Sequence, residues 1–189
     1  MHRRPLLQLL ETYDRHWPED HTVTEQFKGF VRSSPSCCER TFAPGHITAS
    51  AWIVDAEGRR ALLLHHRKLN KWLQCGGHVD GESRVELAAL REAREESGLT
   101  RFQFHLRSGA LIPLDLDIHP IPARGSEPEH LHYDVRFLLM AVPGQEISCS
   151  EESNDLAWFG TEELPRVTSE ESVLRLARRA EEWLSYSRP

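Results

Sequence analysis

Residues 77–99 read GHVDGESRVELAALREAREESGL and follow Cys75 and Gly76. Gly98 marks the end of a helix over the second half of this stretch. On that helix Glu92, Glu95 and Glu96 stand at i, i+3 and i+4 and share one face. Like charges at that spacing destabilise a helix by roughly 0.2–0.5 kcal/mol per pair. Acids in the last turns also oppose the helix dipole, by roughly 0.3–1 kcal/mol each when exposed. A bare helix therefore gains nothing from this arrangement, whereas a helix that holds a cation does. The alternative is a solvated charged face, with Arg91 supporting Glu95 at i, i+4.

The glycine loop and the full spacing favour the cation. Gly77, followed by a helix ending R-E-A-x-E-E-x-G-L, resembles the Nudix box, G-x5-E-x7-R-E-U-x-E-E-x-G-U with U a bulky aliphatic. Gly77, Arg91, Glu92, Glu95, Glu96, Gly98 and Leu99 match it. Two positions depart from the pattern: Ser83 stands where the first glutamate belongs, with Glu82 one residue early, and the small Ala93 follows Arg-Glu. The turn 80–83 is then one residue short, and Ser83 is expected to cap the helix with Glu86 at the capping-box position.

The resemblance implies a hydrolase acting on phosphorus-containing anhydrides, on a small-molecule diphosphate substrate. Its substrate would be a nucleoside diphosphate linked to another moiety. It further implies Mg²⁺ as cofactor, with Mn²⁺ as an alternative ion, held by Glu92, Glu95, Glu96 and the Gly77 carbonyl. Such cations take oxygen ligands, neutralise phosphate charge and acidify a water. Arg91 would orient the acids. The base is sought first in Glu96, then in Glu127 and Glu129 of the loop 120–129, then in Glu152, with Glu95 completing the catalytic set. Arg67, Lys68, His78 and His132 are candidate substrate contacts. His119, His130 and His132, with Asp117 and Asp134, fall on a predicted strand pair, where 130, 132 and 134 alternate onto one face. They suit either a further metal site or a phosphate-contacting surface.

The whole chain sets bounds. Its 189 residues, 39% hydrophobic, are enough for one domain with a substantial core. A net charge of −6 and the lack of a basic stripe argue against a nucleic-acid partner. No apolar run approaches the roughly 20 residues needed to cross a membrane. The apolar stretch after Arg3 and Arg4 is too short for a signal peptide. Cys37, Cys38, Cys75 and Cys149 lack metal-ligand spacing, so a reduced, cytoplasmic setting is expected, with Cys75 a buried thiol.

Helical signals cover 5–16 and 24–32, forming a helical extension over 1–42 packed on the main body, all within one domain spanning 1–189. Strand signals follow at 47–54, 60–65, 71–74, 102–107, 110–119, 130–142 and 157–159, the pair 110–119 and 130–142 antiparallel. An amphipathic helix over 169–185, capped by Ser169, closes the chain. The alternation indicates an α/β (α+β) fold with a mixed sheet between helices, in accord with the α/β/α sandwich that the resemblance implies.

Two other functions compete. The run Cys75-Gly76-Gly77-His78 partly resembles isopentenyl diphosphate isomerases, which use a cysteine and a histidine-bound metal. Their cysteine directly precedes Gly-His, however, and they typically lose the glutamate pattern kept here. A non-catalytic Nudix-fold nucleotide-binding module is the other, favoured by Ser83 and disfavoured by the three helix acids. Similar proteins are often dimers, so a homodimer stays open.

Overall fold

The computed structural model describes residues 3–125, 127–151 and 153–185. Two helices lead the chain, α1 (Arg4–His16) and α2 (His21–Ser33), joined by a 3₁₀ turn at Pro18–Asp20. Pro5 occupies the first turn of α1, where its missing N–H is not needed. Leu6, Leu10, Phe27 and Val31 carry both helices into the core that also holds the sheet.

The sheet is mixed. Strand β1 (Gly45–Val54) lies at its centre and is buried along its whole length. It pairs antiparallel with β2 (Arg60–His66) and with β4 (Cys75–His78). Its other side runs parallel to β7 (His130–Ala141), from Gly45 against Leu131 to Val54 against Met140. Outside these lie β3 (Lys71–Leu73) on β2, β5 (Phe102–Phe104) and β6 (Asp115–Ile121) on β7, and β8 (Ser153–Gly160) on β2. The expected antiparallel pair is β6–β7, although β6 begins at Asp115 and not at residue 110.

Helix α3 (Val85–Ser97) packs on β1 and β4. A short helix, α4 (Leu164–Val167), was not evident in the sequence, and α5 (Glu171–Ser185) buries Val173, Leu176, Ala177, Ala180 and Trp183. Because α5 starts at Glu171, Ser169 lies outside its capping position; Thr168 Oγ1 instead accepts the Glu170 N–H at 3.2 Å. Helices thus cover both faces of a mixed sheet, as an α/β/α sandwich requires.

Candidate active site

Strand β4 presents two bare glycines where it meets β1 and α3, and both sit in close contacts. A Cβ on Gly77 would stand 2.8 Å from the carboxylate carbon of Glu92. A Cβ on Gly76 would stand 2.3 Å from Ser50 Oγ and 2.7 Å from Ser50 Cα. Gly77 therefore faces α3, while Gly76 and His78 face the opposite side of the sheet.

The turn into α3 places Asp80 and Gly81 at φ +49° and +82°, and the helix begins only at Val85. Arg84 is its N-cap, without a side-chain cap. The expected Ser83–Glu86 capping box is therefore absent. Two left-handed residues complete the turn, so Ser83 stops one residue short of the cap. Glu82 accepts the Arg84 N–H at 2.8 Å, and Glu86 pairs with the Arg84 side chain at 2.8 Å. At the other end Gly98, left-handed at φ +71°, donates its N–H to the Arg94 carbonyl and stops the helix as expected.

The three box acids occupy different environments. Glu96 is buried, and its Oε2 accepts the Gly76 N–H at 2.8 Å. Glu92 lies against the bare backbone of Gly77. Its pKa is raised by burial; Arg91 opposes this shift and the charge of Glu95 adds to it. Glu95 is the exposed member. Arg91 joins Glu92 and Glu95: Nη1 lies 2.7 Å from Glu92 and 3.1 Å from Glu95, and Nη2 donates to the His78 carbonyl at 2.7 Å.

These oxygens suit a hard divalent cation. A carboxylate destabilised by burial, and packed where even a methyl group would not fit, gains from a neighbouring positive ion. They are not pre-gathered as a tight trio. Among the described residues, the trios with donor atoms within 4.8 Å of one another are His46/His130/His132 and Asp14/His21/Glu25. Cys75 is fully buried, and burial, with Glu96 and Glu92 nearby, pushes its thiol well up. An isomerase-like reading needs a reactive thiol, and Cys75 does not supply one.

The NUDIX domain family model matches residues 44–180. The chain belongs to the Nudix family. A Nudix-family hydrolase from Clostridium perfringens is 28% identical, with a TM-score of 0.59 over 74% of this chain and 97% of that one. The Ap4A hydrolase of C. elegans, 20% identical, superposes with a TM-score of 0.59 over 74% and 98% of the two chains. The E. coli dihydroneopterin triphosphate pyrophosphohydrolase, 17% identical, gives 0.56 over 70% and 92%. No curated protein sequence matches. As a Nudix hydrolase the chain is an enzyme that cleaves phosphorus-containing anhydrides.

Beyond Gly77, Arg91 and the three box acids, the predicted residues divide. His78 and His132 come together, but on the sheet face turned away from the box acids, beside a cavity of about 390 Å³. Arg40, His46, Glu127, Pro128 and His130 also line it. The loop before β7 thus brings Glu127 to the histidines, while Glu129 is exposed. Glu152 lies outside the described residues. Arg67 and Lys68 sit on the turn between β2 and β3, with Arg67 donating to the Ser153 carbonyl of β8 at 3.3 Å.

Sequence reasoning missed His46. It lies in register with His132 across the parallel β1–β7 pair, so only that pairing reveals it. His119 instead turns Nδ1 to Asp117 at 2.8 Å. Arg136 was missed as well. It is buried and bonds Asp134 at 2.8 Å, Asp115 at 3.2 Å and Asp117 at 3.0 Å.

Proposed function

We propose that this Nudix enzyme is a Mg²⁺-dependent pyrophosphohydrolase that cleaves a nucleoside diphosphate linked to another moiety. The observation that carries the reading is the seating of Glu92 against the Gly77 backbone, beside Glu96 bonded to Gly76 and Glu95 held by Arg91. Glu92, Glu95, Glu96 and the Gly77 carbonyl would hold Mg²⁺ or Mn²⁺. When bound, the cation supplies charge neutralisation for the diphosphate and acidifies the attacking water.

The remaining work belongs to the chain. The Gly76 N–H fixes one oxygen of Glu96, which directs that carboxylate toward the loop. Arg91 is a positioning residue that ties Glu92 and Glu95 to the His78 carbonyl and so locks helix to strand. Glu96 is the leading candidate for proton removal. Glu129 does not join it in this reading, because its loop opens on the histidine face. The enzyme is taken as one domain over 1–189, with 1–42 as its helical extension. A cytoplasmic location accords with four free cysteines and with the lack, among the described residues, of any helix long and apolar enough to cross a membrane.

The test is release of phosphorylated product by purified protein in Mg²⁺ from a panel of nucleotide sugars, dinucleoside polyphosphates, nucleoside triphosphates and isopentenyl diphosphate. Turnover on a nucleoside diphosphate derivative should fall at least a hundredfold in Glu95→Gln and Glu96→Gln. Undiminished turnover in both variants would remove the metal-ligand assignment. Binding without turnover across the panel would select the non-catalytic module.

A further inference from the structure

The histidine cavity lies across the sheet from the box acids and has no part in the chemistry proposed above. His46 is 2% exposed, and among the described residues neither of its ring nitrogens has a hydrogen-bond partner. Buried polar atoms are almost always satisfied, so an orphaned ring calls for a ligand. Its neighbours are other imidazoles: the rings of His78, His130 and His132 lie 4.9, 4.9 and 4.7 Å away, centre to centre.

The ring orientations suit a metal. His130 Nδ1 lies 2.9 Å from the Pro128 carbonyl. A carbonyl only accepts, so Nδ1 carries the proton and the Nε2 lone pair is free. That Nε2 stands 3.3 Å from His132 Nε2. Two imidazole nitrogens bound to one tetrahedral zinc, each about 2.0–2.1 Å from it, are about 3.3 Å apart. One ring nitrogen from each of His46, His130 and His132 lies within 4.8 Å of the other two, so coordination needs the trio to close by at most about 1.5 Å.

We propose that His46, His130 and His132 form a second metal site, distinct from the box, for a borderline-soft divalent ion of the zinc class. The fourth position would open onto the cavity, where His78, Arg40 and Glu127 stand. Three neutral nitrogens select Zn²⁺ or its transition-metal neighbours over Mg²⁺, which demands oxygen. The Pro128 carbonyl behind His130 is the outer partner that orients a ligating histidine. A hydrogen bond between His130 and His132 would account for that pair alone and would leave His46 unmet.

The test uses the full-length protein, stripped by chelator and titrated with Zn²⁺ under a large excess of Mg²⁺ so that the box acids are occupied. One equivalent should bind, and Co²⁺ should give the visible bands of a tetrahedral nitrogen site. Affinity should fall at least a hundredfold in His130→Gln and His132→Gln and stay unchanged in Glu92→Gln. His130 is only half-buried, so its variant should fold, and its melting temperature should no longer rise with Zn²⁺. Failure to bind one equivalent, equal binding in both histidine variants, or loss in Glu92→Gln would each overturn the site. These outcomes are read from zinc binding and the box reading from turnover in Mg²⁺, so the two proposals fail separately.

Discussion

At the scale of single residues, the informative acid is Glu92. Its pKa is raised, burial being the largest cause, so the native state binds more protons there than the unfolded chain. Stability then falls as pH rises from the ordinary glutamate value through the raised one, and the deficit persists at neutral pH. In metal-free protein, Glu92→Gln should therefore raise the melting temperature at pH 7 and flatten its decline above pH 4.5. Arg91 keeps Glu95 and the His78 carbonyl in that variant. Mg²⁺ should reverse the order by stabilising the wild type more than the variant. Scanning calorimetry at several pH values, with and without Mg²⁺, measures both effects. A variant less stable than wild type in chelator would show that Glu92 is held by contacts other than a cation. The role of Glu92 was legible because the helix period puts it on one face with Glu95 and Glu96. Its burial against Gly77 was not, because that depends on how β4 approaches α3.

Among the elements, β4 and α3 form one device, and the two glycines of β4 separate its parts. At Gly77 the nearest atoms to an added Cβ are the carboxylate end of Glu92, which can swing aside. Gly77→Ala should fold normally and lose hydrolysis at least tenfold, because Glu92 leaves its seat. At Gly76 the added atom meets the Ser50 backbone, which cannot move without displacing β1. Gly76→Ala should lose about 1–3 kcal/mol of stability, read from denaturant midpoints. Equal stability in the two variants would mean that the strand has more freedom than its contacts imply. Local chemistry made most elements legible here, including the Gly98 stop. The start of α3 was misjudged because Asp80 and Gly81 adopt left-handed conformations that lengthen the turn past Ser83. The histidine trio was only half legible: alternation joins His130 to His132, but His46 arrives through a parallel pairing between distant segments.

Across the whole molecule, a buried charge network ties the helices to the sheet. Arg136 joins Asp134, Asp115 and Asp117, and Arg175 of α5 pairs with Asp115 and Asp117 at 2.7 and 2.6 Å. Arg179 reaches Asp115 and, at 2.6 Å, Asp20 between the two N-terminal helices, with its guanidinium 4.7 Å from the Trp17 ring. Burial alone would raise Asp117, but His119, Arg136 and Arg175 outweigh it and hold its pKa below the ordinary value. Such a depressed acid contributes stability that is present above about pH 4 and is lost on further acidification. Arg136→Met should therefore cost about 3–5 kcal/mol at neutral pH, because it leaves the buried carboxylate of Asp134 without its cation and takes one cation from Asp115 and Asp117. The same variant should lose less than wild type on going from pH 5 to pH 3. Arg179→Met should act at a different place, by loosening residues 4–33 while the β1–β7 pairing stays intact. Hydrogen exchange reads this directly, as faster exchange in α1 and α2 with β1 and β7 still protected. Exchange that quickens equally in helices and strands would show that the extension and the sheet open as one unit. Exchange unchanged in α1 and α2 would mean that Leu6, Leu10, Phe27 and Val31 hold the extension without help from Arg179.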